Sequence, residues 1–100
     1  MEEKIREVIE KRRKLDINDG IGIQKCWEDI TDILSDNEAN TIVYLDNCSK
    51  DDLYWISEVF EDISIKLQSN EFIECLRRLD IKFPELDMTK DIDLAEDYIM

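Results

Sequence analysis

Histidine is absent from this sequence. With it go the usual general base at neutral pH and the commonest zinc ligand, and a Cys-His nucleophilic pair is excluded on the same ground. Glycine occurs twice and proline once, so no glycine-rich loop is available to cradle a phosphate. No apolar run approaches the length needed to span a membrane, and the charged opening Glu2-Glu3-Lys4 is unlike a signal peptide. Cysteine is sparse: Cys26, Cys48 and Cys75 cannot all pair and show no C-x-x-C spacing. Cys26 and Cys75 fall on or beside apolar stripes, where a free cysteine behaves as a small hydrophobe. All three are therefore expected to be reduced thiols in a cytoplasmic protein.

What the chain has in abundance is negative charge. Among 100 residues, 26 are Asp or Glu and 13 are Lys or Arg, a formal net charge of -13. The length suits one domain spanning residues 1–100, with a real core. The charge is unevenly placed: residues 1–14 carry four acids and six bases, whereas residues 28–62 carry eleven acids and the single base Lys50. A second acid-rich piece runs from Glu85 to Asp97. Nucleic acid and anionic membranes are poor partners for such a surface, because phosphate binding draws on clustered Lys and Arg. A basic protein is the expected partner.

The longest clean pattern lies at Ser49–Leu67, where Leu53, Ile56, Phe60, Ile63 and Leu67 recur at steps of three and four with Val59 in the same stripe. That is the period of an amphipathic helix. Ser49 can cap it, and Asp51 and Asp52 suit the positive end of the helix dipole. At 100° per residue, Asp51, Tyr54, Glu58, Glu61, Asp62 and Ile65 fall opposite the core stripe. One aromatic and one branched aliphatic among four carboxylates is the pattern of a protein-binding face, where apolar anchors supply affinity and charges supply steering. Tyr54 and Ile65 fit equally a helix buried between two layers. The carboxylates do not, because unpaired buried charge is too costly. Tyr44 and the acids of the preceding helix are candidates to extend this face, while Trp27 and Trp55 are expected in the core.

The remaining chain reads as helical. Ile5, Val8 and Ile9 mark a helix over residues 2–15, supported by Glu7-Lys11 and Glu10-Lys14 pairs at four-residue spacing. The stretch Asp16–Gly22 is expected to be a turn marked by both glycines. Helical period resumes at Ile23, Trp27, Ile30 and Leu34, with Glu28, Asp29, Asp32 and Asp36 on the other side, and Ser35-Asp36-Asn37 and Asn40 as its end. Thr41–Leu45 is a β-branched and aromatic run too short to assign by pattern; it reads as a short helix or an extended connector. Gln68-Ser69-Asn70 is a stop and a new cap, followed by Phe72, Ile73, Leu76 and Leu79, with Arg77 and Arg78 placed to complement the dipole. Pro84 follows the end of that helix, and Thr89 is expected to cap a last one through Ile92, Leu94, Ala95 and Tyr98. The expected fold is all-α, a small bundle of about five helices.

Catalytic chemistry is not expected. Carboxylate pairs are inevitable in a chain a quarter Asp and Glu, so they carry no information about acid-base catalysis. The Asp16-Asn18-Gly20 loop has part of an EF-hand spacing, but its glycine sits at loop position five instead of six, and Trp27 stands where the bidentate glutamate belongs. No metal, cofactor or catalytic residue is assigned.

The block Leu53–Asp62, with Leu67-Gln68-Ser69 and Phe72–Leu76, resembles small acidic immunity proteins of bacterial contact-dependent growth inhibition and other polymorphic toxin systems. The resemblance spans residues 27–98 and lies in the spacing of aromatic, acidic and leucine positions. It implies a protein that binds and neutralises the toxic C-terminal domain of a cognate protein, often a nuclease. Colicin-type immunity proteins are also small, acidic and helical, but their adjacent tyrosines leading to a proline are missing here, so no binding residue is transferred. The competing expectations are a DNA-mimicking or adaptor-type regulatory module and, less favoured, a small carboxylate enzyme using a divalent metal.

Overall fold

The computed structural model describes all 100 residues. They form α1 (Glu2–Lys14), α2 (Gly20–Leu34), α3 (Glu38–Asn47), α4 (Lys50–Ile56), α5 (Phe60–Leu67), α6 (Asn70–Lys82) and α7 (Thr89–Asp97), with single 3-10 turns at Ser57–Val59 and Pro84–Leu86. The all-α expectation holds, with seven helices where about five were expected, because Thr41–Leu45 belongs to a helix of its own and the 49–67 stretch is divided in two. No helix is long and apolar enough to cross a membrane.

Four helices start on a side-chain cap that relieves an unpaired N-terminal amide. Asp19 accepts from Gly22 N at 2.9 Å, Asn37 from Asn40 N at 2.9 Å, Ser49 from Asp52 N at 3.1 Å, and Ser69 from Phe72 N at 2.9 Å. Two of these move boundaries read from the sequence. Both glycines lie inside the first turn of α2 rather than in a turn before it, and Gly22 is small for a reason: a Cβ there would stand 2.7 Å from Asp19 Oδ2, against the cap itself. Asn40, read as the end of α2, is instead within α3. The ambiguous run Thr41–Leu45 is helical, because the Asn37 cap nucleates it and its buried side chains satisfy themselves locally. Thr41 Oγ1 donates to Leu34 O at 2.7 Å, and Leu45 is in the core. Thr89 does not cap α7; its hydroxyl donates to Asp80 Oδ2 at 2.7 Å and links α7 to α6.

The rod read as one helix over residues 49–67 is bent into α4 and α5. At the bend Ser57 Oγ donates to Tyr54 O at 2.6 Å, and Val59 adopts φ -122°, ψ 16°. A serine bonding back to a carbonyl in the preceding turn competes with the helical ladder and bends it. The bend preserves the inward stripe: Leu53, Ile56, Val59, Phe60 and Ile63 are all buried. It does not preserve the outward one.

Every helix contributes to one cluster of 18 buried residues, from Ile5 and Ile9 of α1 to Ile92 and Ala95 of α7. Helix α1 lies on α2 and α4, α5 on α2 and α7, and α6 on α3 and α7. The α5–α7 contact is fixed by a buried bond from Ser64 Oγ to Ala95 O at 2.6 Å. Gln68, in the left-handed conformation that ends α5, donates to Tyr98 O at 2.8 Å and accepts from Met100 N at 2.9 Å, which holds the C-terminus down. Phe60 opens α5 directly after the bend and is 1% exposed. Phe60→Ala is expected to lower unfolding free energy by about 3–5 kcal/mol in urea titration, with the midpoint reporting the loss.

The cysteines are free and unreactive by position. Cys26 and Cys75 are buried and Cys48 is half-buried. Burial first, and then the charge and hydrogen bond of Asp46, push the Cys75 thiol up to about 12. Burial first, and then Asp52, push Cys48 up to about 11. An unfolded thiol ionises near 9.0, so between that pH and about 12 the native state holds protons that the unfolded state has lost. This contribution to stability is complete below about pH 9 and is lost as pH rises through the native values. Native protein at pH 8 should therefore react slowly with a thiol reagent at all three cysteines, denatured protein should react at once, and the thermal midpoint should fall above about pH 9.

Candidate functional site: the acidic face of α2 and α5

The bend divides the six residues read as one outward face. Glu58 turns back into the protein. Arg12 of α1 donates from Nε to Oε1 and from Nη2 to Oε2, both at 2.8 Å, and Trp27 Nε1 of α2 donates to Oε1 at 3.2 Å. The side chains are 12% exposed at Arg12 and 27% at Glu58. A two-pronged guanidinium–carboxylate pair is among the stronger charge-assisted contacts, and here it is partly shielded from water. The Arg12 guanidinium also lies 4.8 Å from the centre of the Trp55 ring, in the geometry of a cation–π contact. Asp51 is likewise engaged, by Arg13, which also reaches Asp52 at 3.6 Å. Arg12 and Arg13 at the end of α1 therefore tie it to the 3-10 turn and to the first turn of α4.

Tyr54 remains exposed on α4, its ring edge-on to Trp55 with centroids 5.0 Å apart. Glu61 is half-buried in the first turn of α5 with no cation beside it. Tyr44 is half-buried on α3 beside Met1, Glu2 and Val43, in a different depression; burial raises its hydroxyl above the ordinary tyrosine range. Trp27 and Trp55, expected in the core, are half-buried at its edge.

Asp62 and Ile65 are brought together with α2. They line an open groove of about 440 Å³ between α2 and α5, whose other wall is Gln24, Trp27, Glu28, Thr31 and Asp32, with Lys66 at its side. Ile65 is 47% exposed there. Lys66 Nζ reaches across to Asp32 Oδ1 at 2.7 Å, and this hydrogen bond and charge hold the Asp32 carboxyl below its ordinary range. Glu28 has only a long contact from Gln24 Nε2 at 3.5 Å, and Asp62 has no cation beside it. The groove therefore holds three carboxylates against one ammonium. No group of three Asp, Glu or Cys side chains is arranged to hold a metal ion.

Outside the groove, the arginines of α6 are matched by acids. Arg77 pairs with Asp93 at 2.8 Å and Glu96 at 2.9 Å, and Arg78 with Asp46 at 3.1 Å, so these arginines tie α6 to α7 and α3 instead of only ending α6. The sequence pattern named the acids of α2 and the pair Asp62 and Ile65, but not Gln24, Thr31 or Lys66. No local signal could have found those three, because they become a site only when α2 lies against α5. No protein-family model, curated protein or solved structure matches the chain.

The two carboxylates are thus expected to behave differently. Glu58→Gln should destabilise the protein by about 1–3 kcal/mol, because it leaves Arg12 without its charged partner. Asp62→Asn should change stability by less than about 0.5 kcal/mol. Paired urea unfolding curves of the two variants give the comparison directly.

Proposed function

We propose that this protein is an immunity protein that binds and neutralises a basic toxin domain, with a nuclease as the best-suited class. The observation that carries the reading is the uncompensated acid of the α2–α5 groove around Ile65 and Trp27. A nuclease binds phosphates through a positive cleft, so an acidic surface is complementary to the same cleft and is drawn to it by long-range attraction. Apolar surface at Ile65 and Trp27 supplies contact that salt does not screen. The resemblance of the Leu53–Leu76 block to immunity proteins agrees with this reading.

The protein acts by binding alone in this scheme, and the partner supplies the catalysis that is blocked. Capture on the immobilised protein from a lysate of its native host, at about 0.15 M salt, followed by mass spectrometry, tests it. The expected result is a basic C-terminal fragment of a larger protein that arrests growth when expressed in a sensitive bacterium and ceases to do so when this chain is expressed with it. Capture of a host DNA-binding protein in its place, or of a fragment whose toxicity this chain leaves unchanged, would replace immunity with the DNA-mimic or adaptor reading.

A further inference from the structure

We infer that the α2–α5 groove is a receptor for an arginine side chain presented by the basic partner, and that Lys66 is its internal placeholder. The inference rests on the interaction reading above and specifies which chemistry fills its site. Three features point to a guanidinium. Glu28 and Asp32 stand on one wall and Asp62 on the other, and the single cation between the helices is Lys66, which satisfies only Asp32. The carboxylates do not converge closely enough to share a metal ion, whereas a planar five-donor fork can reach acceptors on both walls. The aliphatic stem of an arginine has apolar surface to lie on at Ile65 and Trp27.

Thr31 supplies an independent sign. It is 5% exposed, it lines the groove, and its Oγ1 is buried without a hydrogen-bond partner in the free chain. Buried hydroxyls are ordinarily satisfied, and an N–H donor inserted between α2 and α5 would provide the missing bond. Lys66 does not make that bond; its ammonium donates to Asp32.

Occupation then becomes an exchange. The incoming guanidinium takes Asp32 from Lys66 and adds Glu28 and Asp62, and Lys66 swings into water. Its exposed pair with Asp32, with side chains 51% and 66% accessible, is cheap to break. Removing the placeholder should therefore strengthen binding, which is the reverse of what loss of a partner-contacting lysine would do.

The experiment is a titration of the full-length protein with N-acetyl-arginine amide and, separately, N-acetyl-lysine amide, followed by backbone and indole N–H shifts at about 0.15 M salt. Shifts are expected to be confined to Trp27, Glu28, Thr31, Asp32, Asp62 and Lys66. The arginine probe should bind more tightly than the lysine probe, Lys66→Met should tighten it by about two- to fivefold, and Glu28→Gln with Asp62→Asn should abolish it. Shifts spread equally over the acids of α6 and α7, equal response to both probes, or weaker binding by Lys66→Met would each overturn the assignment. If a toxin domain is neutralised while the Glu28→Gln, Asp62→Asn protein binds it with unchanged affinity, the immunity reading stands and the arginine receptor falls.

Discussion

The Glu58 carboxylate is the point on which the arrangement of helices turns. It sits in the 3-10 turn between α4 and α5, takes both prongs of Arg12 from α1, and accepts the indole N–H of Trp27 from α2. Three elements, α1, α2 and the turn that joins α4 to α5, are thereby referred to one group. The apolar core alone would tolerate some sliding of α1 along its neighbours, since only Ile5 and Ile9 of this helix are fully buried and burial is non-directional. A two-pronged, partly shielded ion pair is directional. It sets the depth and rotation of α1, and it holds the bend in the rod from the outside while Val59 and Phe60 hold it from the inside.

That use of charge decides where charge is left over. Six bases in the first fourteen residues could have formed a separate positive pole. Instead Arg12 and Arg13 are folded against Glu58, Asp51 and Asp52, and Arg77 and Arg78 are matched on α7 and α3. The α2–α5 face has only Lys25 and Lys66 to set against its acids, each already held, by Asp29 at 3.0 Å and Asp32 at 2.7 Å. At this face unpaired acid stands beside Ile65 and Trp27, where apolar contact and electrostatic attraction can act on one partner together.

Much of this was legible in the chain. The period-3.6 stripes named most of the buried apolar residues of α2, α5 and α6, and Ser49 was read as the cap that it is. The failures have local causes. Thr41–Leu45 looked ambiguous because β-branched residues dominate it, yet the cap at Asn37 and the bond from Thr41 to Leu34 O make it helical. Thr89 looked like a cap because nothing in its own neighbourhood shows that Asp80 will take its hydroxyl. The projection of one face from Asp51 to Ile65 assumed an unbroken 100° step, and Ser57–Val59 breaks it.

The sequence by itself determined the all-helical class, the caps at Ser49 and Ser69, the inward stripes and the sign of the net charge. These depend on neighbours within one or two turns, or on composition, and survive whatever the rest of the chain does. Tertiary structure alone decided which acids are spent and which are free. Glu58 is neutralised by a residue 46 positions away and Asp32 by one 34 away, while Asp62 and Glu28, of the same residue types, form no ion pair. Which carboxylate finds a partner depends on how α1, α2 and α5 cross, and the angle of those crossings is set by the packing of buried side chains around a bend that no periodicity encodes.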